Sequence, residues 1–280
     1  MFELNLPNLD CGQVFDACLN AMNNPRKSRL ELDRDPFVDA CFMYNKNAEN
    51  GTIDQLKSNL FNYRNSDHKD DYVFLYDQKL VVDRIELLNE SIYDTLLARS
   101  IFCPYCNQRL SSTIDHYLPK SIYSCYSINP TNLIPCCAEC NTLKDVSCPE
   151  KDGREFIHPY FDKLTTNSWL ECYFTSHSAA VVSYRISPSL STHKLFNRIS
   201  THFSSLSLKD LYTANAQREL CDMRKRLTEI HGKRGYLGVM KHLRKEANSR
   251  DRINSWQFSL YNMISKDEWF CRDGFKLIPS

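Results

Sequence analysis

The sequence predicts an α+β fold: a mainly helical chain interrupted by a central module of different character. Three observations carry this. Apolar residues recur at helical spacing on both sides of the chain's middle. Between residues 101 and 162 that periodicity stops, and cysteine, proline, histidine and asparagine concentrate instead. Residues 169–187 then read as strands, with Trp169, Leu170, Cys172, Tyr173 and Phe174 followed by Val181, Val182, Tyr184 and Ile186. The expected organisation is a helical region over 1–100, a module over 101–165, and a mixed, then helical, region over 166–280.

In the first region, Asp10 is placed to N-cap a helix, with Gln13 three residues on, and Val14, Cys18 and Met22 form its stripe until Pro25 stops it. A second helix is expected over Val82–Arg99, from Ile85, Leu88, Ile92 and Leu96. The polar runs Asn45–Gly51 and Asn65–Asp71 read as loops, with His68 solvated among charges. In the last region, helical spacing runs from about Ser191 to Leu243. A final helix is expected at Ser255–Ile264, with Trp256, Leu260 and Ile264 on one face.

With 280 residues, 42% of them apolar and 25% charged, the chain can bury a core without staples. Seven glycines, and neither G-x-G-x-x-G nor G-x-x-x-x-G-K-[ST], argue against a nucleotide-binding sheet. A net charge of +1 means that any attraction for nucleic acid must be local. The sequence shows no long apolar run of the kind that spans a membrane and no secretory pattern at Met1–Asn5, so a cytoplasmic location is expected. In that compartment the 13 cysteines stay reduced, and their spacing is read as metal binding first.

Cys103-Pro104-Tyr105-Cys106 and Cys137-Ala138-Glu139-Cys140 are two C-x-x-C pairs. One tight turn presents two sulfurs to the same ion, and two such turns close a tetrahedral shell, which marks a structural Zn²⁺. Cys136 competes with Cys137, and the C-x-x-C register favours Cys137. The remaining cysteines (11, 18, 41, 125, 148, 172, 221 and 271) are scattered and read as packing residues. The 30 residues between the pairs exceed the usual ribbon spacing of roughly 15–20, so something is inserted there.

That insertion holds Asp115-His116-Tyr117-Leu118-Pro119-Lys120, then Asn132-Leu133-Ile134-Pro135; Asn141 and Lys144 follow the second pair. Phosphodiester hydrolysis needs a base for the attacking water and positive charge on the phosphate. Histidine suits the first, and a carboxylate can hold a hard divalent cation for the second. The string C-x-x-C … D-H-x-x-P … N-L-x-P-x-C-x-x-C-N-x-x-K resembles the HNH (ββα-metal) endonuclease superfamily, in its zinc-bearing subset, over about 60 of the 280 residues.

The resemblance implies a central zinc-stabilised ββα-metal module with His116 as general base and Asp115 as a ligand of Mg²⁺ or Mn²⁺. It implies Asn132 as the loop-bracing asparagine and Asn141 as the second metal ligand. Many HNH sequences carry histidine where Asn141 stands, so His158 is an alternative ligand; its other reading is an aromatic plug with Pro159, Tyr160 and Phe161. Lys120 and Lys144 are expected phosphate contacts.

The fuller pattern is similar to HNH proteins of bacterial anti-phage operons, such as the nuclease subunit of Septu-type systems, which implies an ABC/SMC-like ATPase partner. The expected function is hydrolysis of nucleic acid, with double-stranded DNA as the expected partner and no membrane. The alternatives are a zinc-stabilised nucleic-acid-binding adaptor without catalysis, and a recombination or mobile-element nuclease. Residues 218–252, with 11 Lys/Arg against 5 Asp/Glu, are either a phosphate-tracking surface or a solvated helix face.

Overall fold

The structure is a computed structural model that describes residues 3–279 except 24, 60, 62–63, 148–152, 165–167 and 251–252. Cys148, Asp251 and Arg252, which the sequence reading included, lie outside the described residues. Helix accounts for 54% of the structure and the strands pair in small antiparallel sheets, so the α+β expectation holds. The chain divides into two compact units, Met1–Asp162 and Lys163–Ser280. The boundary expected at 100/101 therefore falls inside the first unit.

The first unit begins with α1 (Cys11–Asn20), where the Asp10 carboxylate accepts from the Gln13 N–H at 2.9 Å. A short α2 (Arg26–Leu30) leads to α3 (Arg34–Asn50). The polar run Asn45–Gly51, expected as a loop, is instead the last turns of α3. Its buried stripe Phe37, Cys41, Tyr44 and Ala48 carries the helix to Gly51, whose φ of 71° caps it. The run Asn65–Asp71 is also helical. Asn65 accepts from the His68 N–H and starts α4 (Ser66–Phe74), which continues as π-helix over Leu75–Val82.

His68 is not solvated; it is 1% exposed and bonded to the Asp33 carboxylate. Asp33 also accepts from Arg64 at 3.1 Å and from the Tyr72 hydroxyl at 3.3 Å.

The helix expected over Val82–Arg99 is three pieces. Strands β1 (Glu86–Leu87) and β2 (Glu90–Ser91) form a hairpin before α5 (Ile92–Leu97). Leu88 and Asn89 turn the hairpin with φ of 56° and 66°, and Leu88 points to solvent at 87% exposure. Only Ile92 and Leu96 of the expected stripe are fully buried.

The central strands β3 (Thr113–His116) and β4 (Leu133–Cys136) pair antiparallel, with Asp115 opposite Ile134 and His116 opposite Leu133. Helix α6 (Ala138–Lys144) follows β4 directly. Ile114, Ile128 and Leu133 from this part join Phe15, Phe37, Tyr72 and Leu96 in one apolar core. The helical region and the module thus fold as one body.

In the second unit, β5 (Leu170–Ser176) and β6 (Val181–Ile186) form the expected hairpin. Helices α7 (Phe196–Ser205) and α8 (Leu208–Asn248) follow, the latter broken at Gly235. Ser255 caps α9 (Trp256–Ile264), and a further helix α10 (Glu268–Arg272) follows that the sequence reading did not include. No helix among the described residues is long and apolar enough to cross a membrane.

The Asp33 cluster gives a stability test. Asp33→Ala leaves His68, Arg64 and Tyr72 without their shared acceptor, and the expected cost is about 3 kcal/mol, the scale for breaking a buried charge network. Urea unfolding of wild type and variant measures it; a difference within error would show that the cluster does not hold α4.

Candidate functional site

The two cysteine pairs form one cluster. A turn at Cys103–Cys106, closed by the Asn107 N–H on the Cys103 carbonyl (2.8 Å), presents the first pair. The second pair opens α6, where the Cys137 sulfur accepts from the Cys140 N–H at 3.3 Å and so caps the helix. All four residues are buried, and their sulfurs lie within 4.8 Å of one another. Four sulfurs about 2.3 Å from a tetrahedral Zn²⁺ sit about 3.8 Å apart, so the cluster has the size and donor set for one zinc. Hydrogen bonding among the four thiols lowers those of Cys106 and Cys137 and raises those of Cys103 and Cys140. Cys136, one residue away on β4, pairs with Thr113 of β3 and is fully buried, and burial pushes its thiol up. Cys18, Cys41, Cys125, Cys172 and Cys271 are buried, as packing residues are.

Beside the cluster lies a cleft of about 690 Å³ lined by Asp115, His116, Asn141 and Lys120, together with Tyr76 and Asp77. The end of β3 supplies Asp115 and His116, and α6 supplies Asn141. His116 Nε2 is 2.9 Å from the Ser127 carbonyl. A carbonyl only accepts, so Nε2 carries the proton and Nδ1 keeps its lone pair. Burial pushes the imidazole pKa down to about 3; the Ser127 bond opposes this, and the Lys120 and Lys144 charges reinforce it. The Tyr76 ring meets the imidazole edge-on at 4.3 Å and fixes its plane.

Asp115 is 4% exposed and accepts from the Tyr105 hydroxyl at 2.7 Å. Tyr105 stands inside the first C-x-x-C; the sequence reading gave it no role, although its place between two ligands was visible. The Asn141 Nδ2 faces the Thr113 hydroxyl at 3.5 Å, a contact that does not use the amide oxygen. A carboxylate offers about four lone-pair positions, and Tyr105 and Lys144 do not exhaust them. Asp115 and Asn141 thus bring two hard oxygen donors to the cleft, a set that fits Mg²⁺ or Mn²⁺.

Asn132 is fully buried and laces the loop after β3. Its Oδ1 accepts from the Leu118 N–H at 2.7 Å, and its Nδ2 donates to the Leu118 and Tyr126 carbonyls at 3.0 and 3.1 Å. That loop carries Ser127, whose hydroxyl donates to the Tyr72 carbonyl of α4.

Two expected residues stand elsewhere. Lys144 is no phosphate contact: its side chain is 1% exposed. Its ammonium donates to Asp115 and to the His116 and Tyr117 carbonyls at 2.9 and 3.0 Å. The i+3 spacing put Lys144 on the face of Asn141, but that face turns inward at the last turn. His158 does not line the cleft either. Its Nε2 meets the Tyr44 hydroxyl at 3.0 Å, and its ring packs on Tyr117 (4.1 Å) and Phe161 (4.7 Å) in an aromatic plug. Lys120 does reach the cleft, where it pairs with Asp77 and lies over the Tyr76 ring.

Comparison with known proteins finds one curated relative of note. The chain is 26% identical over 196 residues to protein ea31 of Escherichia phage lambda. The match covers 64% of this chain and 66% of that protein, just short of two thirds of its length. No protein-family signature matches, and no solved structure matches significantly.

Two outcomes follow from this geometry. The purified protein is expected to carry about one zinc per chain, the number that a single four-thiolate site takes. Cys140→Ser should lose that metal and melt at a lower temperature; metal analysis with thermal unfolding decides, and a metal-free wild type of equal stability would refute the site.

The second concerns His116. An unfolded histidine titrates near 6.5, whereas the folded one stays neutral down to about 3. Below 6.5 the unfolded chain therefore takes up a proton that the native state does not. The stability that this residue contributes is complete above 6.5 and is lost progressively as pH falls toward 3. Urea titrations of His116→Gln should lose less stability between pH 7 and 5 than those of wild type. Acid effects on the cysteine cluster are common to both proteins, so equal losses would place the imidazole in water.

Proposed function

We propose that this chain is a divalent-metal-dependent endonuclease of the HNH type, acting on DNA. The observation that carries the reading is the placement of His116: its Nε2 is tied to the Ser127 carbonyl, its Nδ1 is left as the acceptor, and it lines the same cleft as Asp115 and Asn141. The antiparallel β3–β4 pair followed by α6 is the order that a ββα-metal module requires, and the four-cysteine cluster supports that module as structural zinc.

His116 Nδ1 takes the proton from the attacking water while Nε2–H stays on the Ser127 carbonyl, which faces the positive charge that develops on the ring. Asp115 and Asn141 supply the oxygens that would hold the cation. When bound, a divalent ion there draws negative charge from the scissile phosphate and the leaving oxygen. Lys120 exchanges its Asp77 partner for a phosphate oxygen at the mouth of the cleft. Asn132 keeps the loop closed, so the Ser127 carbonyl does not drift from the imidazole.

The anti-phage role with its ATPase partner, and the alternative of a mobile-element or recombination nuclease, both rest on the motif resemblance; the name of the phage lambda relative states no function.

Supercoiled plasmid is expected to be nicked with Mg²⁺ or Mn²⁺ and left intact without added divalent ion. Loss of a general base lowers rates by about 10²- to 10⁴-fold, so His116→Ala should cut at least about 100-fold more slowly with its zinc retained. Absence of cutting by wild type on DNA and RNA alike would leave the zinc-stabilised binding protein as the reading. Equal cutting by both proteins would remove His116 from the mechanism.

A further inference from the structure

The cleft is poor in positive charge for a site that must hold a polyanion. Its lining carries the carboxylates of Asp77, Asp115 and Asp145 against one ammonium, that of Lys120, which Asp77 already engages. The second unit holds the charge that the cleft lacks. From residue 230 to 245 the sequence contains no Asp or Glu but five cations: Lys233, Arg234, Lys241, Arg244 and Lys245. They straddle the break in α8 at Gly235, whose φ of 62° and ψ of −169° no helix permits.

All five are exposed. Past the break the buried residues are Val239, Leu243 and Ala247, so Lys241, Arg244 and Lys245 occupy the opposite side of the helix. Among the described residues, none of the five has a side-chain hydrogen bond or an ion pair. Some other surface cations of the same unit are paired, such as Arg185 with Glu171, Arg272 with Glu268, and Lys276 with Asp273. An unpaired, acid-free cluster is complementary to a closely spaced row of phosphates and to little else of comparable charge density. The φ of Gly235 favours glycine there, and a Cβ at Gly232 or Gly235 would meet nothing within 4 Å, so the backbone around the break is open.

We infer that Lys233, Arg234, Lys241, Arg244 and Lys245 form a sequence-independent surface for the phosphate backbone of double-stranded DNA. Its use as the substrate-holding surface of the nuclease rests on the function proposed above; the binding itself does not.

The test is fluorescence anisotropy with the full chain and a labelled DNA duplex, without added Mg²⁺ or Mn²⁺, across a range of salt. Binding should weaken steeply with salt, each phosphate contact adding about 0.9 to the slope of log K against log[salt]. The triple variant Lys241→Gln, Arg244→Gln, Lys245→Gln should bind about 10-fold or more weakly near 0.1 M salt, with a slope shallower by about 2 to 3. Arg185→Gln, Arg272→Gln, Lys276→Gln removes the same charge from paired positions and should leave binding unchanged. No duplex binding by wild type, or equal losses in both triple variants, would overturn the assignment. So would a triple variant that binds an acidic protein less but DNA as before. A chain that binds DNA through this surface yet never cuts would overturn only the nuclease reading.

Discussion

The Lys144 side chain is out of reach of water, so each of its three N–H bonds needs a protein oxygen. It finds them on the Asp115 carboxylate and on the carbonyls of His116 and Tyr117, all at the end of β3. Lys144 is the last residue of α6, and Cys137 and Cys140 lie at that helix's start. A seven-residue helix is too short to persist on its own propensity. Here it is pinned at one end by the cysteine cluster and at the other by a buried charge. Asn141 sits between the two pins, and this is why an amide on so short a helix has a defined place on the cleft that Asp115 also lines. Removing the ammonium would leave a buried carboxylate with only Tyr105 beside it, a situation that proteins pay for heavily.

His116 is held by a different route. The imidazole leans on the Ser127 carbonyl, and the Ser127 hydroxyl leans on the Tyr72 carbonyl. The Tyr72 hydroxyl in turn reaches the Asp33 cluster. The N-terminal helices thus support His116, which agrees with their sharing one core with Ile114, Ile128 and Leu133. Tyr76, from the π-helical segment after α4, supplies one wall of the imidazole's pocket, and Asp77 beside it holds Lys120.

What was legible in the sequence was local. Two C-x-x-C pairs, Asp115-His116 and the bracing Asn132 could be read because each depends on residues close in the chain or on a fixed spacing. The caps at Asp10 and Ser255 were legible for the same reason. What failed depended on distant partners. His68 looked solvated because its neighbours in sequence are charged; its partner Asp33 lies 35 residues away. Lys144 looked like a phosphate contact because i+3 spacing gives a face but not which way the face points. Asn45–Gly51 looked like a loop because polar residues can end a helix as readily as leave it, and Tyr44 and Ala48 decide by burial. Ser127 and Tyr76 carry no motif at all and matter only through what they touch.

Under the proposed function, the electrostatics of the two units divide the labour that a nuclease needs. A site that holds a divalent cation benefits from carboxylates, and Asp77, Asp115 and Asp145 line the cleft. The same carboxylates repel a phosphate backbone until a cation is present, so they cannot also supply duplex affinity. On that reading, raising the cleft's own positive charge would weaken any hold on a divalent cation. Lys144 is already the closest buried cation to Asp115, at 3.0 Å, and a further one would compete with the ion for the same oxygens. On the proposed function, affinity for the polymer belongs on a surface separate from the proposed metal ligands, where cations stand without carboxylate partners. The run around Gly235 has that composition, and a net charge of +1 for the whole chain conceals it.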